Sequence, residues 1–286
     1  MNKPIITIGM PVFNGEKYIS DAIGSLLKQT ETHFELIISD NCSTDKTYKI
    51  CKRWERQDTR IRLYRQTHNL GPQNNFKFVL SKARNQFFVW AAHDDLWSND
   101  WLEKLLSKHT TSTSLTFGRV INFQDDLSKE LAVYQPKEFT FRKIWSKTRF
   151  MMEEDTRGKA NLIYGMYKTA QLKRAFGNDV FQQFNYAEDM LFVYKLFQLG
   201  DINCDHTTTL YKRIIDYPLR TDITVLLIIR RLLLTDRIKT YLAYGQLSST
   251  LSLSLTCYLL FPVKYFTSLS YSVYHLAKRY LRLNYK

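Results

Sequence analysis

The sequence predicts an α/β protein in which a mostly parallel sheet is flanked by helices. Two observations carry this prediction. Short apolar runs typical of buried strands alternate with segments whose apolar residues recur at helical spacing. The runs also end in turn-forming or acidic residues, which is typical of strands that lead into helices at one edge of a parallel sheet. With 286 residues and 44% hydrophobic content, the chain has enough material for a large core.

The first half of the chain carries the clearest alternation. Residues 5–12 form the first predicted strand, which Pro11 and the Asn14-Gly15 turn bring to an end, and a helix follows over 18–29. The next strand, 34–39, runs into Asp40 and a helix that extends to about residue 54. A third strand, a turn at 68–72, a helix around 76–83 and a fourth strand at 87–92 complete the pattern. The carboxyl ends of these strands should therefore meet in one crevice.

The second half is less regular. We expect an amphipathic helix over 101–109, a strand over 115–123, a short strand over 162–167 and a helix over 190–199 that Gly200 ends. Residues 124–160 are charged and poorly periodic, and we interpret them as a variable region that faces a substrate. The predicted organisation is a catalytic domain over 1–210, with a nucleotide-binding half over about 1–97 and an acceptor half over about 98–210.

Residues 211–286 differ from the rest in charge. The chain has a formal net charge of +14, and this segment holds twelve Lys or Arg and three Asp, a net charge of +9. The segment is also apolar: residues 240–263 contain no charge, and a basic stripe recurs at helical spacing over 275–286. We predict a helical extension that lies on an anionic membrane surface; a helix packed on the catalytic domain is the alternative. Because the basic excess lies in an apolar tail, nucleic acid is not expected as a partner.

Targeting and redox features predict a cytosolic chain. The four cysteines show neither disulfide nor zinc spacing, which is typical of reduced, mostly buried thiols. The first residues predict a strand rather than a signal peptide. The expected location is peripheral, on the cytoplasmic face of a membrane.

The segment FFVWAAHDDLW at 87–97 is the strongest candidate for a functional site. Its apolar run stops at His93, Asp94 and Asp95, where open α/β sheets bind their ligands. Adjacent acids at the end of a buried strand repel one another unless something neutralises them, and a divalent cation would do so. The pair therefore predicts a metal and phosphate site. The alternative is that the two acids cap a helix that begins at Trp97.

Several segments together resemble the family 2 glycosyltransferases of the GT-A fold. These are the Pro11-Val12-Phe13-Asn14 strand end, the segment over 38–45, the Asn69-Leu70-Gly71 turn, the Asp94-Asp95 pair and the Glu188-Asp189 pair. The resemblance covers roughly residues 3–205. It implies an inverting enzyme that transfers a sugar from a nucleotide-sugar. The chain departs from the family in two respects: Ser39 and Cys42 replace the first Asp and the Gly of a segment with two Asp before Gly-Ser, and Ala92 stands where the metal motif Asp-x-Asp-Asp has its first Asp.

The resemblance implies a nucleotide-sugar site and a metal ligand. Asp40 would accept a hydrogen bond from the base, which favours UDP; a helix cap is its alternative role. Asp95 would bind Mn²⁺ or Mg²⁺, which stabilises charge on the leaving phosphate. The other residues expected to contact the nucleotide-sugar are Pro11, Phe13, Asn14, Asn69, Gly71 and Asp94.

The same resemblance implies a catalytic base and an acceptor side. Asp189 would remove the proton of the acceptor hydroxyl, with Glu188 as the alternative base or as the residue that orients Asp189. The alternative for this pair is a structural role, in which two acidic residues in the first turn stabilise the helix through its dipole. His93 and Trp97 are candidates for the acceptor side; a structural role is the alternative for each.

The function predicted from the sequence is a metal-dependent hexosyltransferase of polysaccharide biosynthesis. It would transfer a sugar from a UDP-sugar to a lipid-linked or surface-glycan acceptor. Two alternatives stay open. One is a nucleotidyltransferase, and the other is a non-catalytic binder of nucleotide-sugars, because Ala92 replaces the first Asp of the metal motif. A nucleotidyltransferase usually has a Gly-rich, basic phosphate loop after its first strand, where this chain has Phe13-Asn14-Gly15-Glu16.

Overall fold

The computed structural model describes residues 4–124, 127, 130–140, 144–153, 159–176, 188–215, 242–244, 246, 248 and 253–264. Within these ranges the chain forms a single mixed sheet of nine strands. The strands are β1 (Ile6–Val12), β2 (Phe34–Asp40), β3 (Ile61–Arg65), β4 (Phe87–Trp90), β5 (Leu96–Trp97), β6 (Thr113–Phe123), β7 (Glu130–Tyr134), β8 (Met166–Lys168) and β9 (Asp201–Arg213).

The strand order is β3-β2-β1-β4-β8-β6-β9-β5, and β7 pairs with β6. The first four strands are parallel, as the strand and helix alternation predicts. β8 runs antiparallel between β4 and β6, whereas β9 runs parallel to β6. The sheet is therefore mostly parallel in strand direction, with β5, β7 and β8 reversed.

Helices cover the sheet. They are α1 (Ile19–Leu27), α2 (Thr47–Gln57), α3 (Pro72–Lys82), α4 (Trp101–Ser107), α5 (Ile144–Met152), α6 (Thr169–Phe176) and α7 (Glu188–Phe197), with a 3-10 helix at Lys159–Tyr164. Every residue of β1 and β2 is buried, so both faces of these strands are covered. Trp90 of β4 lies at the centre of this core, with its ring 5.8 Å from that of Phe192 in α7 and 5.9 Å from that of Tyr167 in β8.

The helix expected from residue 101 begins at Trp101 as α4, and residues 96–97 form β5, which excludes the alternative of a helix that begins at Trp97. Three expectations from the sequence differ from the structure. The predicted strand over 162–167 is mostly the 3-10 helix, followed by the three residues of β8. The irregular region 124–160 contains β7 and α5. The domain boundary predicted after residue 210 falls inside β9, which continues to Arg213.

The described part of the C-terminal region packs on α7. The ring of Tyr244 lies 4.8 Å from that of Tyr194, whose hydroxyl is 2.9 Å from Ser248 Oγ and 3.6 Å from Cys257 Sγ. Residues 253–264 form a helix, and at its end Lys264 Nζ donates a 2.6 Å hydrogen bond to the carbonyl of Glu153. No helix among the described residues has the length and hydropathy that crossing a bilayer requires. The basic stripe predicted over 275–286 lies outside the described residues.

Candidate active site

Three loops meet at the carboxyl ends of β2, β1 and β4. Neighbouring parallel strands end at the same edge of the sheet, and the register pairs Val12 at the end of β1 with Asp40 at the end of β2. On the other side of β1, β4 ends at Trp90 and continues into the loop that holds His93, Asp94 and Asp95. The expected convergence of these three segments is thus present in the structure.

Side-chain hydrogen bonds join the loop after β1 to the loop after β2. The backbone N–H groups of Asn14, Gly15 and Glu16 donate to Ser43 Oγ at 2.9 Å, Thr47 Oγ1 at 2.8 Å and Asp45 Oδ2 at 3.1 Å, respectively. Asn14 Oδ1 in turn accepts from the N–H of Thr44 at 2.9 Å. Asn14 has a φ of 50°, a left-handed conformation that Asn tolerates better than most residues. The Asn14 side chain therefore shapes the loop, and its contact with a nucleotide stays a prediction.

Asp40 is a buried carboxylate of which only one oxygen accepts a hydrogen bond from the described residues. Its Oδ1 accepts a 3.2 Å hydrogen bond from the N–H of Ser43, while Oδ2 is buried and has no hydrogen-bond partner among the described residues. Arg65 Nε lies 3.4 Å from Oδ2, outside hydrogen-bond geometry, and the Arg65 guanidinium stacks over Tyr48 at 4.4 Å. α2 begins at Thr47 without a side-chain cap, so Asp40 does not cap this helix. Asp40 Oδ2 is thus buried in an ion pair with Arg65 and accepts no hydrogen bond from the described residues, and its contact with a base stays a prediction.

Polar residues surround the end of β2, and of these the sequence analysis named only Ser39. Ser39 Oγ donates to Asn75 Oδ1 at 2.6 Å and accepts from Gln66 Nε2 at 2.9 Å, and Asn75 Nδ2 donates to the Ser39 carbonyl at 3.0 Å. Ser39 and Asn75 are both buried, and this network satisfies them. The signal in the sequence was weak, because a buried Asn in a helix has no characteristic spacing.

Asn41 holds the turn at 69–71 against the same edge. Its Oδ1 accepts from the N–H of Leu70 at 2.8 Å, and its Nδ2 donates to Asn69 Oδ1 at 2.9 Å. Gly71 has a φ of +77°, which favours glycine there. Asn69 and Gly71 therefore set the shape of the loop beside Asp40, and direct contact between either residue and a nucleotide stays a prediction.

His93 connects the loop after β1 with the acidic pair. A Cβ added to Gly15 would lie 2.4 Å from His93 Cδ2, so this close approach requires glycine. Burial lowers the pKa of His93, against the opposing influence of the carboxylates of Asp94 and Asp45. The imidazole thus packs between loops. Its predicted role on the acceptor side is untested, and its observed contact with Gly15 fits the structural alternative.

Asp95 is the most unusual ionisable group in the site. It is 2% exposed, its Oδ1 accepts a 2.9 Å hydrogen bond from the N–H of Arg213, and its Oδ2 is buried without a hydrogen-bond partner among the described residues. Burial, together with the neighbouring charge of Asp94, raises the pKa of Asp95 to about 7. A buried carboxylate with a raised pKa gains from a cation that compensates its charge.

Arg213 anchors the acidic loop, a role that the sequence analysis missed. Besides the backbone hydrogen bond to Asp95, its Nε donates to the carbonyl of Asp94 at 3.0 Å. The guanidinium lies 4.3 Å from the ring centre of Tyr18 and 4.5 Å from that of Phe123. The end of β9 thus fixes both acids. The only signal in the sequence was a Lys-Arg pair that follows the apolar residues of this strand, which we assigned to the tail.

The acidic pair fits a divalent cation held by few protein ligands. The described residues contain no cluster of three or more His, Cys, Asp or Glu, so a cage built only from protein groups is not present among them. Mg²⁺ and Mn²⁺ in phosphate sites need only one or two carboxylates, together with water and phosphate oxygens. The unpartnered Asp95 Oδ2, with Asp94 beside it, matches that donor set.

Three other sequence-predicted residues have different outcomes. Trp97 is only 3% exposed and lies in β5 opposite Leu210, which fits its structural alternative, and its role on the acceptor side stays a prediction. The periodicity of apolar residues in the sequence does not distinguish a buried two-residue strand such as β5 from an exposed loop. The backbone of Glu188 and Asp189 opens α7, as predicted, but their side chains lie outside the described part of the structure.

The sequence of this region matches a known family. The model of "Glycosyl transferase family 2" matches residues 7–176, which contain β2 to β4, nearly all of β1, and Asp40, Asp94 and Asp95. The chain belongs to glycosyl transferase family 2. The fold and family predicted from the sequence are thereby confirmed.

Two curated relatives each match about half of the chain. The putative teichuronic acid biosynthesis glycosyltransferase TuaG of Bacillus subtilis is 31% identical over 142 residues, which cover 49% of this chain and 56% of TuaG. The Escherichia coli protein WfgD, a UDP-Glc:alpha-D-GlcNAc-diphosphoundecaprenol beta-1,3-glucosyltransferase, is 30% identical over 148 residues, or 50% of this chain and 56% of WfgD. This family 2 chain thus spans about half the length of these relatives.

A solved structure extends the likeness in fold. Residues 1–349 of Staphylococcus aureus TarS, in complex with UDP-GlcNAc, match with a TM-score of 0.59 over 85% of this chain and 66% of that chain. The sequence identity is 19%, so this match supports the shared GT-A fold alone.

Proposed function

We propose that this family 2 protein transfers a sugar from a nucleotide-sugar to a glycan acceptor with inversion at the anomeric carbon. The observation that carries the proposal is a pair of buried carboxylates, one at the end of β2 and one in the loop after β4, on either side of β1. Asp40 and Asp95 each keep one buried oxygen without a hydrogen-bond partner among the described residues. One such oxygen suits the N–H of a base and the other suits a cation on a diphosphate, which are the two ends of a nucleotide.

UDP is the favoured donor nucleotide. A carboxylate accepts hydrogen bonds and donates none, so Asp40 Oδ2 matches a base that presents a ring N–H, as uracil does. The exposed ring of Phe13 and the turn held by Asn41 border the same crevice. The names of two matched proteins agree with this choice, since WfgD uses UDP-Glc and TarS was solved with UDP-GlcNAc.

Asp95 and Asp94 would hold Mn²⁺ or Mg²⁺ in this proposal. When bound, the cation would supply compensating charge for the diphosphate that leaves. The chain itself contributes the fixed position of the carboxylates, because Arg213 bonds both to Asp95 Oδ1 and to the carbonyl of Asp94. A carboxylate whose pKa is near 7 is ionised more readily when a cation is present, so donor and metal should bind cooperatively.

Asp189 is the proposed base, with Glu188 as the alternative. Inversion in one displacement requires a base that takes the acceptor proton on the side opposite the leaving group. The start of α7 is connected to the nucleotide half through the contact of Phe192 with Trp90 in β4. This packing holds α7 at a fixed distance from the end of β4, which supports the proposal that a residue at the start of α7 is the base.

The acceptor is proposed to be lipid-linked, as the name of WfgD states for that enzyme, or a polymer of the cell surface, as the name of TarS states for poly(ribitol-phosphate). Peripheral contact with the cytoplasmic face of a membrane is part of the proposal. Its support is an exposed apolar stripe on the helix at 253–264, made of Leu255, Tyr258, Leu259 and Val263, in which Leu259 is 78% exposed. A stripe of this kind can lie in the interface of a bilayer without crossing it.

A nucleotidyltransferase fits the geometry less well. Such an enzyme needs free backbone N–H groups after the first strand to hold phosphates. Here the N–H groups of Asn14, Gly15 and Glu16 already donate to the loop after β2. A non-catalytic binder would share the whole nucleotide site and differ only in turnover.

A panel of nucleotide-sugars tests the proposal. Binding is measured by calorimetry, and hydrolysis or transfer by release of the nucleoside diphosphate, with Mn²⁺, with Mg²⁺ and with EDTA. We expect UDP-sugars to bind in the presence of a divalent cation and to release UDP. Binding without release under every condition and with a range of glycan acceptors would favour the non-catalytic binder. Release of pyrophosphate from nucleoside triphosphates would favour the nucleotidyltransferase.

A further inference from the structure

The outer face of α2 carries a concentration of positive charge that the proposed reaction does not use. Lys46, Lys49, Arg53 and Arg56 are all exposed, and their spacing of three, seven and ten residues places them on one side of the helix. The opposite side holds the buried residues Thr47 and Cys51. At about 1.5 Å per residue, the row of charges is roughly 15 Å long.

These basic side chains surround a hollow of about 650 Å³. Its lining contains five basic residues and no acidic one: Lys46, Lys49, Lys52, Arg53 and Arg56, together with Tyr48 and Ile50. We call this feature the basic hollow.

The charges of the basic hollow are mostly uncompensated. Lys52 forms an ion pair with Glu55 at 2.6 Å. Among the described residues, the ion pairs within 4.0 Å include none of Lys46, Lys49, Arg53 and Arg56. Four like charges along one row repel one another, and an external anion with repeated charges would relieve that repulsion.

We propose that the basic hollow binds a linear anionic polymer whose charges are phosphate or carboxylate groups on a flexible chain. This inference does not depend on the proposed transferase reaction. The basic hollow matches such a polymer in the sign of its charge, in its length and in its concave shape.

Two other anionic partners fit the basic hollow less well. A membrane surface is flat and is usually bound by basic residues interspersed with exposed apolar anchors, but α2 contributes no large exposed apolar side chain. A single-stranded nucleic acid is usually bound with exposed aromatic rings for stacking of the bases. The one aromatic ring in the lining, Tyr48, is covered by the guanidinium of Arg65 at 4.4 Å.

The basic hollow also lies next to the candidate active site. Lys46 lies at the N-terminal end of α2. Its backbone N–H donates a 2.9 Å hydrogen bond to Oε2 of Glu16, which belongs to the loop after β1. A polymer bound along α2 would thus extend to the rim of the crevice formed by the strand ends.

A quadruple variant tests the proposal. Lys46→Gln, Lys49→Gln, Arg53→Gln and Arg56→Gln together remove four exposed charges, and Gln has a helix propensity close to that of Lys and Arg. The matched control is Lys28→Gln, Arg84→Gln, Lys108→Gln and Arg174→Gln, which removes four exposed charges elsewhere. The probes are polygalacturonate and inorganic polyphosphate, with binding to the full chain measured by fluorescence anisotropy at about 0.15 M salt.

We expect the α2 variant to bind at least one of the two polymers about tenfold more weakly, and the control variant to change binding less than threefold, on the scale of a few exposed ion pairs. The polymer that responds identifies phosphate or carboxylate as the preferred group. An equal loss in both variants would overturn the proposal, because net charge alone would then explain binding. Unchanged binding in the α2 variant would also overturn it.

Two further probes separate the competing partners. If the α2 variant loses binding to phosphatidylglycerol vesicles but keeps both polymers, the basic hollow is a membrane contact and the proposal fails. It fails likewise if a single-stranded oligonucleotide of equal charge binds more tightly than both polymers and depends on α2. The double variant Lys49→Gln, Arg53→Gln should show an intermediate loss, and circular dichroism checks that each variant is folded.

Discussion

The backbone N–H of Arg213 donates a 2.9 Å hydrogen bond to Asp95 Oδ1 across 118 residues of sequence. The side chain of Arg213 also holds the carbonyl of Asp94, so one residue of β9 fixes the position of both acids. The acidic pair is thus built from two distant parts of the chain, and its geometry depends on β9 as much as on β4. Five predictions follow from this and from the other contacts of the site.

Arg213→Ala should weaken metal-dependent nucleotide binding by about 10- to 100-fold, the usual cost of losing a residue that orients metal ligands. The substitution keeps the backbone hydrogen bond to Asp95 but removes the bond to Asp94 and the contacts with Tyr18 and Phe123. Calorimetric titration with UDP and Mn²⁺ measures the effect. Arg84→Ala, at an exposed position, is the control. Affinity equal to that of the wild type would exclude a positioning role for the Arg213 side chain.

Asp95 should make the stability of the metal-free protein depend on pH. Burial raises its pKa from 3.8 to about 7 in the folded state, so between these values the folded protein binds more protons than the unfolded chain. Stability therefore falls as pH rises from about 4 to 7, by an amount on the order of a few kcal/mol, and the full cost is present above pH 7.

Asp95→Asn checks this directly, because Asn does not ionise. Urea unfolding should give a variant more stable than the wild type at pH 8 and closer to it at pH 5, both without divalent cation. Mn²⁺ at pH 8 should stabilise the wild type and leave the variant unchanged. A stability difference that is the same at both pH values would contradict a raised pKa for Asp95.

Asp189→Asn should abolish sugar transfer while UDP affinity stays within about twofold, because a base acts on the acceptor and not on nucleotide binding. Single-turnover transfer assays and UDP titration separate the two effects. Glu188→Gln is the matched variant. Loss of transfer in Glu188→Gln together with substantial transfer in Asp189→Asn would move the assignment to Glu188.

Gly15→Ala should destabilise the protein by roughly 1–3 kcal/mol, because the new methyl group would lie 2.4 Å from His93 Cδ2. His93→Ala opens that space, so it should cancel part of the loss when the two substitutions are combined. A double-mutant cycle of urea unfolding measures the coupling. Purely additive effects would show that His93 does not limit the approach of the two loops.

Leu259→Ser combined with Val263→Ser should reduce co-sedimentation with anionic liposomes several-fold, because each substitution removes apolar area from the exposed stripe. Leu131→Ser combined with Leu199→Ser alters two similarly exposed apolar positions elsewhere and should have little effect. If both pairs reduce binding equally, the stripe on the helix at 253–264 has no special role in membrane contact.

Sequence reasoning located the nucleotide half of the fold because its signals are local. The strands β1 and β2 are mostly apolar and lead into turn-forming or acidic residues, and the parallel arrangement of β2, β1 and β4 brings Asp40 and Asp95 to one edge. The acids at these positions were therefore identified before their geometry was seen. The sequence does not predict that one oxygen of each acid is buried, because the burial of a polar group depends on the whole fold.

The second half was harder to predict because its strands depend on distant partners. β9 contains Asp201, Asn203, Asp205 and His206, which disfavour a strand prediction, yet it pairs along most of β6. β5 has two residues and exists only because β9 lies beside it. Consequently Arg213 was assigned to the tail instead of the site.

The place of β9 in the chain also affects the order in which the protein is made. Asp40, Asp94 and Asp95 leave the ribosome well before Arg213, because synthesis proceeds from the N-terminus. Until Arg213 has emerged, the Asp95 carboxylate lacks its backbone donor. The nascent chain therefore cannot assemble the complete acidic site from its first hundred residues, and nucleotide binding by the growing polypeptide should begin only after β9 has docked beside β6.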